Sequence, residues 1–182
     1  MPHNAWWVGE CSDTTKYRYF QFINTGPTSS DDHHLILGEV ELWGTYYEVP
    51  TPGPTLVYDV PFVAAGYNGL MRAIGTQGGE TPFENPALMS EGGVVATLST
   101  TYGVGVASQA LDGTPSEAHS TNAAGSWWQV DVGEGRTLAV TQFGLMGRDY
   151  PNNHPRNFRL EGSNDETTWD TLYTSTAAGP SQ

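Results

Sequence analysis

Trp127-Trp-Gln-Val-Asp-Val-Gly133 alternates with a period of two: Trp128, Val130 and Val132 fall on one side, Gln129 and Asp131 on the other. A half-buried β-strand has this period, because successive side chains leave a pleated backbone on opposite faces. Outward from this stretch the chain repeats the theme. Val94–Leu98, Leu138–Met146, Phe158–Ser163 and Trp169–Tyr173 read as strands, as do Tyr17–Ile23 and Leu35–Trp43 near the N-terminus. In the last of these, Val40 and Leu42 share one face and Glu39, Glu41 and Trp43 the other. Ala107-Ser-Gln-Ala-Leu-Asp-Gly113 is a small-residue turn or a single helical turn. Short strands separated by turn formers at about 8–12 residues imply a sandwich or a barrel.

Between the two groups of strands the texture changes. Glu48–Pro54 holds three prolines in seven positions, a stiff connector and the best boundary in the chain. Leu56–Val63 reads as a strand interrupted by Pro61, which restricts it to a sheet edge. Residues 66–93 are Gly-rich, with one short apolar piece at Leu70–Ile74.

Composition narrows the function. The 182 residues carry 20 acids against 7 Lys and Arg, a net charge of −13, and Lys16 is the only lysine. A phosphate-backbone binder needs a basic stripe, and an anionic bilayer needs basic clusters, so nucleic acid and lipid surfaces are excluded as partners. The negative field favours cations, calcium included. Cys11 is the single cysteine, which rules out an intrachain disulfide and a thiolate zinc site. The opening Met-Pro-His-Asn-Ala-Trp-Trp lacks the basic and apolar regions of a secretory signal. No apolar run approaches the ~20 residues of a membrane span, so no membrane insertion is expected. No Gly-x-Ser-x-Gly elbow, His-Glu-x-x-His pair or phosphate loop is present, so no enzyme activity is expected.

Three pieces, in this order, carry a resemblance: Ala107–Thr114, Trp127–Gly133 and Pro155-Arg-Asn-Phe-Arg-Leu-Glu-Gly-Ser-Asn-Asp-Glu-Thr-Thr-Trp169. Together they are similar to the discoidin, or coagulation factor 5/8 type C, family. The resemblance implies an all-β fold, a jelly-roll β-sandwich like that of galactose-binding domains. In the family an aromatic strand and a Glu-x-Glu strand close the domain; here the look-alikes are Tyr17–Phe22 and Gly38–Gly44, at the front. The family order therefore looks rotated. Residues 1–45 would supply closing strands, 46–93 a Pro/Gly-rich bridge with short strands of its own, and 94–182 the opening and central strands. Closure within one chain makes this a circular permutation; closure by a neighbour makes it a strand exchange and an obligate homo-oligomer. The run Pro155–Asp165 is also similar to discoidin modules of phage virion proteins, which implies a virion setting.

The resemblance further implies one structural calcium, held by Asp112, Thr114 and Glu39. For a ligand, Arg148-Asp-Tyr-Pro-Asn-Asn-His-Pro-Arg156 combines an aromatic face with hydroxyl-bonding groups. Tyr150 would stack, and Arg148, Asn152, Asn153 and His154 would bond; His119, Asn122 and Asp31-Asp-His-His34 are further loop candidates. Adjacent His33 and His34 point to opposite faces on an extended backbone and read as a solvated loop, not a metal pair. Trp127 and Trp43 read as packing residues, with exposed stacking platforms as the alternative. The expected function is a non-catalytic carbohydrate-binding or adhesion module of a phage particle, with surface glycans and other virion proteins as partners. Repetition as a homo-oligomer or on the particle would supply avidity. The alternative is a structural virion protein that cements capsid or tail subunits without sugar specificity.

Overall fold

Eleven strands and one α-helix are laid down in residues 6–49, 55–114, 116–147 and 154–175, the part of the chain that the computed structural model describes. The strands are β1 (Trp6–Glu10), β2 (Tyr19–Asn24), β3 (Ile36–Leu37), β4 (Glu39–Glu48), β5 (Leu56–Val60), β6 (Val95–Leu98), β7 (Ala118–His119), β8 (Trp127–Asp131), β9 (Arg136–Met146), β10 (Phe158–Ser163) and β11 (Asp170–Ser175); the helix α1 is Leu70–Gly75. One antiparallel sheet has the order β1-β9-β4-β5, a second the order β11-β10-β2-β8-β6, and β3 pairs with β7 in a small ribbon.

The alternation in the sequence builds the space between the two sheets. Trp128, Val130 and Val132 are fully buried, beside Phe20 and Phe22 of β2 and Phe158 and Leu160 of β10. Opposite them stand Val40 and Leu42 of β4 and Leu138, Val140, Phe143 and Leu145 of β9. Aromatic edges lock this core: Trp7 meets Phe158 at 5.0 Å and Phe143 at 5.2 Å, both edge to face. The fold is a discoidin-like antiparallel β-sandwich. Both sheets mix early and late strands of one chain, with β2 between β10 and β8, and β4 between β9 and β5.

The structure departs from the sequence reading in three places. The strand expected over Leu35–Trp43 divides at Gly38 into β3 and β4, because it changes partner there from β7 to β9. β4 then continues to Glu48 through a register slip at Trp43/Gly44. Gly44 takes a φ of +150°, and a Cβ would collide with the Ala139 carbonyl, so only glycine fits the bulge. The bridge contributes a strand and a helix: β5 is the expected edge strand, but Leu70–Gly75 is α1. Trp43 is the packing residue that the sequence suggests. It is fully buried between Trp6 and Phe62, with its indole N–H on Asn68 Oδ1 at 3.0 Å.

The helix packs on the Glu41 side of β4. Its first turn has no local side-chain cap. Instead the buried Glu41 carboxylate accepts from Met71 N at 3.2 Å and Arg72 N at 3.1 Å. Burial pushes the Glu41 carboxyl up to about 8, against these N–H bonds, which lower it. Among the described residues no helix is long and apolar enough to cross a membrane.

Candidate binding site at the loop end

Four loops meet where β2, β7, β9 and β10 begin or end. Loop 25–35 is the centre. On one flank Ser29 N donates to the His154 carbonyl at 3.2 Å, His154 N donates back to Ser29 Oγ at 3.0 Å, and Thr25 N donates to the Asn157 carbonyl. On the other flank His33 N donates to Asn122 Oδ1 at 2.8 Å and Leu35 N to Ser120 Oγ at 2.8 Å. Loop 99–106 is stitched to β7 by Tyr102 N to the His119 carbonyl and His119 N to the Gly105 carbonyl. Gly105 is required there, as a Cβ would lie 2.6 Å from His119 Cβ.

The result is an aromatic and imidazole cluster. His34 Nδ1 is 2.9 Å from the Ser120 carbonyl oxygen, an acceptor only, so this nitrogen carries the proton. His119 Nε2 sits 3.2 Å from the same Nδ1, while His119 Nδ1 faces Glu117 Oε1 at 3.2 Å. Tyr102 lies over both rings, 4.8 Å from His119 and 5.4 Å from His34, and is 55% exposed. Val104 beside it is 89% exposed. A fixed aromatic face bordered by hydrogen-bonding rings suits a ligand with one apolar and one polar side.

Of the residues expected here from sequence, Arg148, Tyr150, Asn152 and Asn153 lie outside the described residues. His154 is 4% exposed, with its ring against Gly147, so it sits beneath the loop. His119 is part of the cluster. His34 belongs to it too, which corrects its reading as a solvated loop residue: Tyr102 and His119 cover its ring. Trp127 is half-buried. Sequence reasoning misses Tyr102, whose signal is an aromatic followed by Gly-Val-Gly-Val, apolar residues placed in turn chemistry.

Glu39, Asp112 and Thr114 are brought together across 75 residues of sequence. Glu39 Oε1 accepts from Gly113 N at 2.8 Å and Thr114 N at 3.1 Å. Asp112 Oδ1 accepts from Thr114 N and Thr114 Oγ1, and its Oδ2 from Ser116 Oγ. Glu39 is 1% exposed, and no cation pairs with it among the described residues. Burial pushes its carboxyl up to about 9; a hydrogen bond from Tyr67 lowers it, and Asp112 raises it further. Glu39 and Asp112 are hard carboxylate donors of the type calcium takes, and in this structure both accept from N–H or O–H groups. Among the described residues no set of three His, Cys, Asp or Glu converges on an ion, so carbonyls or water would complete the shell.

Residues 95–182 match the family model described as the F5/8 type C domain. That segment belongs to the F5/8 type C, or discoidin, family. No curated protein and no solved structure matches the chain. Discoidin domains are, in general, modules that bind carbohydrates or other ligands and are typically non-catalytic. The matched segment contains loop 99–106, β7 and the Asp112 turn; His34 and Glu39 come from the front of the chain.

Proposed function

We propose that this protein is a non-catalytic carbohydrate-binding module that holds a surface glycan at the loop end. The observation that carries the reading is Tyr102, a half-exposed ring set over His34 and His119 on loops tied down by backbone hydrogen bonds. A pyranose presents an apolar face to such a ring, and its hydroxyls bond to imidazole and to the loop amides. Contacts this shallow give weak single-site affinity, which arrayed copies raise by avidity. A glycan array with the intact protein, Tyr102→Ala and His34→Ala tests it. Binding that falls tenfold or more in both variants is the expected result; binding unchanged in both removes the loop-end assignment.

Within this reading we place the module on a phage particle, as a decoration, fibre or tail component, on the strength of the run Pro155–Asp165. Particles lacking the protein should assemble and adsorb poorly. Loss of particle stability with adsorption unchanged would assign the cementing role instead. We also propose that Glu39 and Asp112, with Thr114, hold a structural calcium, whose charge would offset the buried carboxylate. The order of strands, with β2 between two strands of the matched segment and β4 beside a third, supports a rotated family order.

A further inference from the structure

A second concavity lies far from the loops. β4 starts at Glu39, opposite Met146 and the loop that follows it, and ends at Glu48, opposite Arg136. Ten strand residues span about 30 Å, so whatever gathers around Tyr46 and Glu48 is at the other end of the molecule. Here β4, β5, α1 and the glycine turn after α1 enclose a cleft of about 650 Å³, of the size that holds small ligands.

The walls differ in chemistry. One is apolar: Tyr46 and Tyr58, with ring centroids 5.9 Å apart, continue into Val60 and Ile74. Tyr58 is 48% exposed, so its ring offers a face. The facing wall is bare backbone. Gly78, Gly79 and Gly92 have φ values of +75°, +94° and +69°, and a Cβ on any of them would meet nothing within 4 Å. A ligand can therefore approach the main chain closely. Arg136 fixes this wall through its guanidinium, which donates to the carbonyls of Gly92 and Gly93.

The polar groups are mixed in kind. Glu48 and Glu91 accept, and Arg72 and Gln77 donate. Arg72 is steadied over the Phe83 ring at 4.6 Å, and Glu48 by the Tyr46 hydroxyl at 3.2 Å. With two carboxylates against Arg72, and Arg136 held on the Gly92 and Gly93 carbonyls, the cleft gives phosphates and acidic sugars no net attraction. An amine would use the carboxylates but be opposed by Arg72. An uncharged polyol uses both kinds, donating hydroxyls to the acids, accepting from Arg72 and Gln77, and laying its C–H face on Tyr58.

We propose that this cleft is a second binding site, for an uncharged oligosaccharide of two or three rings. It shares no residue with the loop end and stands or falls separately from that reading. The test is amide NMR titration of the intact protein with lactose, cellotriose and maltotriose, repeated with Tyr58→Ala, Glu48→Gln and Tyr102→Ala after each is shown to melt cooperatively. The expected result is that at least one sugar shifts the amides of Tyr58, Asp59, Gln77, Gly78 and Gly79, with Kd at least tenfold weaker in Tyr58→Ala and Glu48→Gln and unchanged in Tyr102→Ala. Shifts confined to residues 31–34, 102 and 119 would leave the loop end standing and overturn the cleft. No shift at the cleft with any of the three sugars, or shifts there only with glucosamine added as an amine control, would also overturn it.

Discussion

The ring of Trp7 stands 5.4 Å from the ring of Tyr173, edge to face, so the first and last strands of the sandwich touch through their side chains. β1 is an edge of one sheet and β11 an edge of the other, and both aromatics also pack on Phe143 and Phe158. The two ends of the described chain therefore share one corner of the core.

A permuted gene follows from that contact. On the proposed rotated order, joining residue 182 to residue 1 and opening the chain between 49 and 55 gives the unrotated order of strands. The product should fold as a monomer with a cooperative melt, since a change in loop length alone costs about 1 kcal/mol. Circular dichroism melting and size-exclusion chromatography check it; an aggregated or non-cooperative product would count against a rotated order.

Calcium should raise the melting temperature of the intact protein and not that of Asp112→Asn. At a concentration a hundredfold above Kd, the stabilisation of a single site is about 2.7 kcal/mol. Calorimetry measures both. Absence of heat and of any thermal shift in the intact protein would remove the calcium proposal.

Glu41→Ala should destabilise by about 2–3 kcal/mol, because it strips the acceptor from the buried N–H groups of Met71 and Arg72. Glu41→Gln keeps one acceptor and removes a buried ionisable group, so it should be close to neutral. Urea unfolding of the three proteins distinguishes the pair.

Asp131 sets an acid limit. Burial raises its carboxyl, but the paired bonds from Arg18 at 2.7 and 2.8 Å and from Gly133 N outweigh it and hold it below the usual carboxylate range. A depressed folded pKa contributes stability above the unfolded value, which is lost as pH falls through the folded one. The pair is partly exposed, so Asp131→Asn should cost about 1 kcal/mol at pH 7 and progressively less as pH falls through the lowered carboxyl value. Denaturation curves at neutral and at acid pH read the difference.

Much of the sandwich was legible because its signals are local. β8 alternates without a break, and β5 is followed by the proline that keeps it at an edge. α1 was not legible, since its capping group is Glu41, thirty residues earlier in the chain. Nor was the burial of Glu41 legible, since the helix that engages it comes from a Gly-rich stretch with no periodicity. At the site, Asp112 and Glu39 were found through family resemblance, whereas the Tyr102–His34–His119 cluster needed three loops placed in space.

Gly162→Ala should cost about 1–3 kcal/mol, since the new methyl would lie 2.6 Å from Tyr17 Cδ2 and force the ring away. Tyr17 would then loosen its hydroxyl bonds to Asp13 and Asp170, at 2.9 and 3.0 Å. Thermal melting gives the loss.

That β1 and β11 each have a neighbour on one side only also governs how the protein responds to load. Either strand comes away when a single ladder of backbone hydrogen bonds breaks, β1 from β9 or β11 from β10. Detachment should therefore begin with these outer strands, while the central β4–β9 and β2–β8 pairs stay joined.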